Sequence, residues 1–261
     1  MPFVKRNRVR IHYEVEGQGL PVVFLPGLGG TVQMWNLIGG SGALPDRRLI
    51  LIDPRGHGRS DKPTDRKAHR IEEYRDDVLA VLDTEHVSKA VLWGISDGSK
   101  IGCAFADAYP DRVTALIDHD GIEGEDLCED PSRHERLDAA QQERTDRGWL
   151  LRSMSAFEAY TISPALLNEF RGEDLEMVAL ELEEWTHWKG ALSVLPRLKL
   201  PILMLLNGGR EKDEIARLRI STAGRAELQV IPGTGHLRIC FELQLTIPLI
   251  RDFLSRVQPE A

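Results

Sequence analysis

A chain of 261 residues, 42% of them apolar, has the material for one large α/β domain with an insertion or for two small domains. With 41 acidic against 33 basic residues the net charge is −8, and basic residues form no extended cluster, which excludes nucleic acid and anionic membrane surfaces as expected partners. The start, Met-Pro-Phe-Val-Lys-Arg, has no apolar signal core, no apolar run could cross a bilayer, and the three cysteines (Cys103, Cys128, Cys240) lack metal-ligand spacing, so a reduced, cytoplasmic setting is expected.

Val9 to Glu16 alternates apolar and polar in the manner of an edge strand and stops at Gly17 and Gly19. Pro21 to Leu25 and Leu49 to Ile52 are short apolar strands. Ile71 to Thr84 carries Val78, Leu79, Val81 and Leu82 at helical spacing, and Val87 to Trp93 returns to strand. Ser99 to Tyr109 then reads as a helix that Pro110 stops. This alternation predicts parallel strands joined by crossover helices, an open α/β sheet that binds ligands at the carboxyl ends of its strands. From about 123 to 199 the alternation gives way to a charged, helix-like stretch carrying Trp149, Phe157, Tyr160, Trp185 and Trp188. Leu200 to Leu206 and Glu227 to Ile231 resume buried strands, and Leu249 to Val257 is a closing amphipathic helix. The expected organisation is a core of 1–122 and 200–261 with a helical cap, 123–199, inserted between its strands.

Four motifs follow predicted strands. Pro26-Gly27-Leu28-Gly29-Gly30 is a glycine-rich turn whose N–H groups can approach a ligand oxygen; the Lys-Ser/Thr of a phosphate loop is missing. Asp53-Pro54-Arg55-Gly56-His57-Gly58-Arg59-Ser60 reads as a structural turn whose Asp and Arg tie neighbouring loops, with His57 a loop histidine and not a base. Gly94-Ile95-Ser96-Asp97-Gly98 lifts a serine out of the sheet on a sharp strand-to-helix turn, because small residues two positions to either side remove the colliding Cβ atoms. Gly233-Thr234-Gly235-His236 presents a late histidine at the same sheet edge, which suits a general base.

In this order the motifs resemble the α/β-hydrolase superfamily, over nearly the whole chain outside the cap. The resemblance implies that Ser96 is the nucleophile and His236 the base, with the N–H groups of Leu28 and Asp97 as the oxyanion hole. It also implies that neither a metal nor an organic cofactor is required. A serine at the elbow disfavours the aspartate-dependent dehalogenases and epoxide hydrolases of that superfamily. The acid departs from the usual pattern. Most relatives carry it in a Gly-x-x-Asp turn after the strand matching Pro201 to Leu206, where this chain has Gly208-Gly209-Arg210-Glu211-Lys212-Asp213. Others use the loop after the strand that follows the nucleophile helix, where Asp120 falls. The order of preference is Asp120, Asp213, Glu211; the alternative role for Asp120 is a loop carboxylate capping the start of the cap. Asp97, beside the nucleophile, is expected to turn toward its helix dipole and leave only its N–H facing the site.

The cap is expected to supply the acyl pocket; Trp185 and Trp188 share a helix face, one suited to packing and the other to an aromatic wall for an apolar substrate. Tyr13 to Gly17, the Pro-Gly-Leu-Gly-Gly turn followed by Gln33-Met34-Trp35, and His119-Asp120 resemble fungal zearalenone lactone hydrolases, whereas the Ser-Asp-Gly elbow and Thr-Gly-His loop match them less closely. The expected reaction is therefore serine-dependent cleavage of a small-molecule carboxylic ester or lactone, a bulky macrolactone such as zearalenone among them. Two alternatives stay open: a hydrolase of carbon–carbon bonds in diketone-like substrates, and a catalytically silent protein that binds a small ligand. Oligomeric state is undetermined, with a homodimer allowed.

Overall fold

The structure is a computed structural model that describes residues 2–122, 175–185, 188, 193–210, 215, 216, 218, 219 and 222–257. The strands are β1 (Phe3–Arg6), β2 (Val9–Glu16), β3 (Leu20–Leu25), β4 (Arg47–Ile52), β5 (Ala90–Ile95), β6 (Val113–His119), β7 (Ile202–Asn207) and β8 (Ala226–Ile231). They form one sheet in the order β1-β2-β4-β3-β5-β6-β7-β8. β2 runs antiparallel to both β1 and β4, and every other pairing is parallel. The order reverses between β3 and β5, so the loops after those two strands open onto a common crevice.

Period-2 alternation separates the two faces of the sheet. On one face Val23, Leu25, Ile50, Leu92, Leu116 and Met204 pack against α2 (Ile71–Thr84) and α3 (Gly98–Ala108). On the other, Val22, Phe24, Leu49, Leu51, Val91, Trp93, Ile117 and Leu203 meet α1 (Val32–Leu37), α5 (His236–Phe241) and α6 (Ile247–Arg256). Burial on both faces is what a mostly parallel sheet needs, and it explains why β5 to β7 read as continuous apolar runs. Cys103 and Cys240 are buried as packed side chains, and Cys128 lies outside the described residues.

β2 is not the edge strand that its alternation suggests. β1 pairs along its outer side, from Phe3 opposite His12 to Arg6 opposite Val9. The alternation also breaks at His12, which is fully buried between Ile11 and Tyr13.

Most of the expected cap, 123–174 in particular, lies outside the described residues. Its end is described: α4 (Leu175–Trp185) packs on the core. Met177 sits so close to Gly56 that a Cβ there would stand 3.3 Å from it. Val194, Leu195 and Leu198 are buried in the same layer as α2 and α3. Among the described residues, no helix is long and apolar enough to cross a membrane.

Candidate active site

The turn from β5 into α3 is held by close backbone packing. A Cβ on Gly94 would lie 2.4 Å from the Ser99 backbone, and one on Gly98 would lie 2.1 Å from the Leu25 carbonyl oxygen. Either approach is below any tolerable contact, so glycine is required at both ends of the elbow. Between them Ser96 has φ +51, a left-handed conformation that costs a non-glycine residue about 1–3 kcal/mol. The geometry is braced by Ser96 N–H donating to the His119 carbonyl at 3.0 Å and Ser99 N–H donating to the Ser96 carbonyl at 2.9 Å.

Raised in this way, Ser96 Oγ lies 3.0 Å from Nε2 of His236, the first residue of α5. His236 Nδ1 lies 2.8 Å from Asp120 Oδ2. The structure thus joins Ser96, His236 and Asp120 in one hydrogen-bonded chain, drawn from the loops after β5, β8 and β6. Asp120 is fully buried and, like Ser96, left-handed, with φ +57. Asp213 and Glu211 lie outside the described residues.

Sequence reasoning missed the hold on Asp120. Asn207, the last residue of β7, donates its backbone N–H to Oδ1 at 3.0 Å and its side-chain amide to Oδ1 and Oδ2 at 3.1 and 2.9 Å. Arg210 adds Nε and Nη2 to Oδ1 at 3.2 and 3.0 Å. Burial by itself raises the Asp120 carboxyl, but the hydrogen bond from His236, the Arg210 charge and the Asn207 N–H outweigh it and hold the group down at about 2. The available signal was position: Asn207-Gly208-Gly209-Arg210 directly follows a buried strand at the same sheet edge.

Two neighbours on β6 shift oppositely. Burial pushes Asp118 up to about 6 despite bonds from Ser99, Gly121 and Ile122. Burial pulls His119 down to about 4 despite the Asp120 charge and a bond to the Ile239 carbonyl.

The expected oxyanion donors are the N–H groups of Leu28 and Asp97. Leu28 belongs to the turn after β3, closed by Gly30 N–H donating to the Gly27 carbonyl at 2.8 Å. That turn runs over the elbow: a Cβ on Gly27 would come within 3.0 Å of the Ser96 Cβ. Asp97 is the N-cap residue of α3, and no acidic residue occupies the first turn, so that end of the helix dipole faces the serine without a local carboxylate in the turn. The Asp97 side chain does not cap the helix as expected. It pairs with Lys100 Nζ at 2.9 Å, one turn along α3, where a cation is better placed than the N–H groups of the first turn to neutralise it.

The Asp53 motif behaves as a tie. Asp53 accepts from Val32 N–H at 2.6 Å, Arg59 N–H at 3.0 Å and His12 Nδ1 at 2.8 Å, which fixes the start of α1 and with it the turn bearing Leu28. Arg55 forms a two-pronged pair with Asp77 of α2, both bonds 2.7 Å. His57 is buried, and its Nε2 pairs with Glu181 of α4 at 2.5 Å.

Of the two tryptophans, one is placed in the packing. Trp185 is buried, stacks edge-on against Tyr74 with ring centroids 4.9 Å apart, and donates its indole N–H to the His69 carbonyl at 3.0 Å. Trp188 is partly buried against the same apolar layer. Trp188 lies beyond the end of α4, so the shared helix face expected of the pair is not formed. Among the described residues no group of three or more His, Cys, Asp and Glu side chains could hold a metal ion.

Residues 21–153 match the model of the alpha/beta hydrolase fold family, and the chain belongs to that family. It is 35% identical over 119 residues to the cis-3-alkyl-4-alkyloxetan-2-one decarboxylase of Shewanella oneidensis, a match covering 44% of this chain and 36% of that protein. It is 32% identical over 127 residues to the zearalenone hydrolase of Bionectria ochroleuca, covering 43% of this chain and 47% of that protein. The chain thus spans less than half the length of these curated relatives. In fold it is similar to Est816, a solved structure described as an N-acyl homoserine lactone degrading enzyme, with a TM-score of 0.76 at 24% identity over 97% of this chain and 100% of that one.

Proposed function

We propose that this protein is a serine hydrolase that cleaves a carboxylic ester or lactone through an acyl-enzyme intermediate. The observation that carries the reading is the continuous chain from Ser96 Oγ through His236 to Asp120, at 3.0 and 2.8 Å. Ser96 attacks the carbonyl carbon while His236 Nε2 takes its proton. The N–H groups of Leu28 and Asp97, at the turn over the elbow and the start of α3, receive the developing oxyanion. His236 then protonates the leaving alkoxide, which in a lactone stays tethered to the acyl group. A water activated by His236 releases the acid and restores Ser96. Asp120 keeps the Nδ1–H tautomer in place and balances the imidazolium.

The partial match to a zearalenone hydrolase supports a bulky lactone as substrate. The test is a panel of p-nitrophenyl esters, small lactones, zearalenone and a diketone-like carbon–carbon substrate, run on wild type and Ser96→Ala. Ester or lactone turnover lost in Ser96→Ala supports the proposal. Turnover of the diketone alone would replace it with carbon–carbon hydrolysis, and turnover unaffected by Ser96→Ala would overturn it.

A further inference from the structure

The Asp120 carboxylate is divided between two duties. Oδ2 faces His236, at 2.8 Å, while Oδ1 faces Arg210, whose Nε and Nη2 lie at 3.2 and 3.0 Å. The Arg210 side chain is only 7% exposed, so this guanidinium is not a surface charge that salt or solvent would screen away. Here a fixed positive charge sits on the opposite oxygen of the same carboxylate. In electrostatic terms His236 faces a nearly neutral pair, which favours the imidazolium less than a lone carboxylate does.

We propose that Arg210 is a positioning residue that both locks the Asp120 carboxylate and lowers the pH at which His236 is a free base. The proposal rests on the serine-hydrolase reading above. Two physical consequences follow from the geometry. The fork of Arg210, together with Asn207, prevents rotation of Asp120, so that Oδ2 stays aimed at Nδ1 although the loop carries a left-handed residue. The charge of Arg210 offsets the attraction that would otherwise hold a proton on His236, so the base is available at lower pH.

The other charged and titratable groups around His236 are compatible with this assignment. On α5, Arg238 is bonded to Glu242 and to the Gly233 carbonyl, and the Cys240 thiol is pushed well up by burial and stays neutral. On the elbow, Asp97 is paired with Lys100. On β6, His119 is held neutral down to about pH 4. Asp118, raised to about 6, titrates in the working range, so activity alone would mix its ionisation with that of His236.

The test therefore reads His236 directly, through the pH titration of its ring C–H signal by NMR, assigned with His236→Gln. In parallel, the rate of Ser96 modification by a fluorophosphonate is measured against pH. Arg210→Met should raise both midpoints by about one pH unit, so that one unit below the wild-type midpoint labelling falls about tenfold further than any loss at high pH. Arg210→Lys keeps the charge without the fork: its midpoint should stay within about 0.3 unit of wild type while the rate drops at every pH. Equal midpoints in wild type and Arg210→Met, with a uniform rate loss, would mean that Arg210 only supports the loop and would overturn the charge assignment. Should Arg210→Met fail to fold, a midpoint raised in Arg210→Lys overturns it just as well. A wild type that is not labelled at Ser96 would instead remove the hydrolase reading, a separate failure.

Discussion

Replacing Asp120 by asparagine puts one donor into a site built entirely for acceptors. Asp120 Oδ1 receives Asn207 N and Nδ2 and Arg210 Nε and Nη2, whereas Oδ2 receives His236 Nδ1 and Asn207 Nδ2. The single carbonyl oxygen of asparagine will take the Oδ1 position, where more donors converge, and its NH2 will face His236. Nδ1 must then accept, the ring proton moves to Nε2, and that proton points at Ser96 Oγ, 3.0 Å away. A histidine in this tautomer cannot take the serine proton. The expected loss is about 10⁴-fold in rate, or about 5 kcal/mol of transition-state stabilisation. Arg210 loses its buried counter-charge at the same time, which should cost about 3 kcal/mol of folding stability. The assays are fluorophosphonate labelling rates and urea unfolding, with Asp213→Asn as the comparison expected to label at the wild-type rate. Labelling of Asp120→Asn within tenfold of wild type, or a 10⁴-fold loss in Asp213→Asn, would refute the reasoning.

Three further predictions follow from backbone geometry and ionisation. Because Ser96 sits at φ +51, Ser96→Gly should be more stable than Ser96→Ala by about 0.5–1 kcal/mol in urea unfolding, the strain relieved less the extra freedom of glycine in the unfolded chain; a Ser96→Gly less stable than Ser96→Ala would show that the elbow carries no strain. Gly98→Ala drives a Cβ to 2.1 Å from the Leu25 carbonyl and 2.5 Å from that of Pro26, so it should cost about 2–3 kcal/mol and suppress labelling by displacing the turn that bears Leu28. A wild-type melting temperature in that variant would contradict the packing argument. Stability against pH should have a plateau and then a fall. His119, lowered to about 4 from 6.5, loses stability as pH drops through that window, while Asp118, raised to about 6 from 3.8, gains it, and the two nearly cancel. Asp120, lowered to about 2 from 3.8, then withdraws about 2–3 kcal/mol between pH 4 and 2. Urea midpoints that rise as pH falls from 6.5 to 4 would show that His119 is not held neutral, and midpoints that collapse there would show that Asp118 is not raised.

Much of this molecule was readable where one physical rule dominates. The bounds of β2 and α2 coincide with those expected, since alternation and 3.6-residue spacing are strong over 8 and 14 residues. The meeting of Ser96, His236 and Asp120 was legible for a related reason: each lies at or within five residues after the end of a strand of a mostly parallel sheet, which brings all three to one edge. β1 was not legible, because its four residues, Phe-Val-Lys-Arg, have too few positions to show a period. Nor were the partners that long-range folding brings together. Arg210 is 90 residues from Asp120, and Glu181 is 124 from His57; no local pattern encodes either contact. The tryptophans mark the same limit, since three-residue spacing suggests a shared helix face for Trp185 and Trp188, whereas α4 ends at Trp185. The choice among acids depended on geometry too: a carboxylate after β6 and one after β7 look alike in sequence, and among the described residues it is Asp120 that reaches His236, Glu211 and Asp213 lying outside them.

The central claim is that Ser96 is an activated nucleophile, and covalent labelling with a fluorophosphonate followed by mass spectrometry of the labelled peptide tests it most directly. The account predicts one adduct, on Ser96, formed fast in wild type, absent in Ser96→Ala and slowed by orders of magnitude in His236→Gln and Asp120→Asn. No adduct under conditions that label an ordinary esterase, or an adduct on a residue other than Ser96, would contradict it.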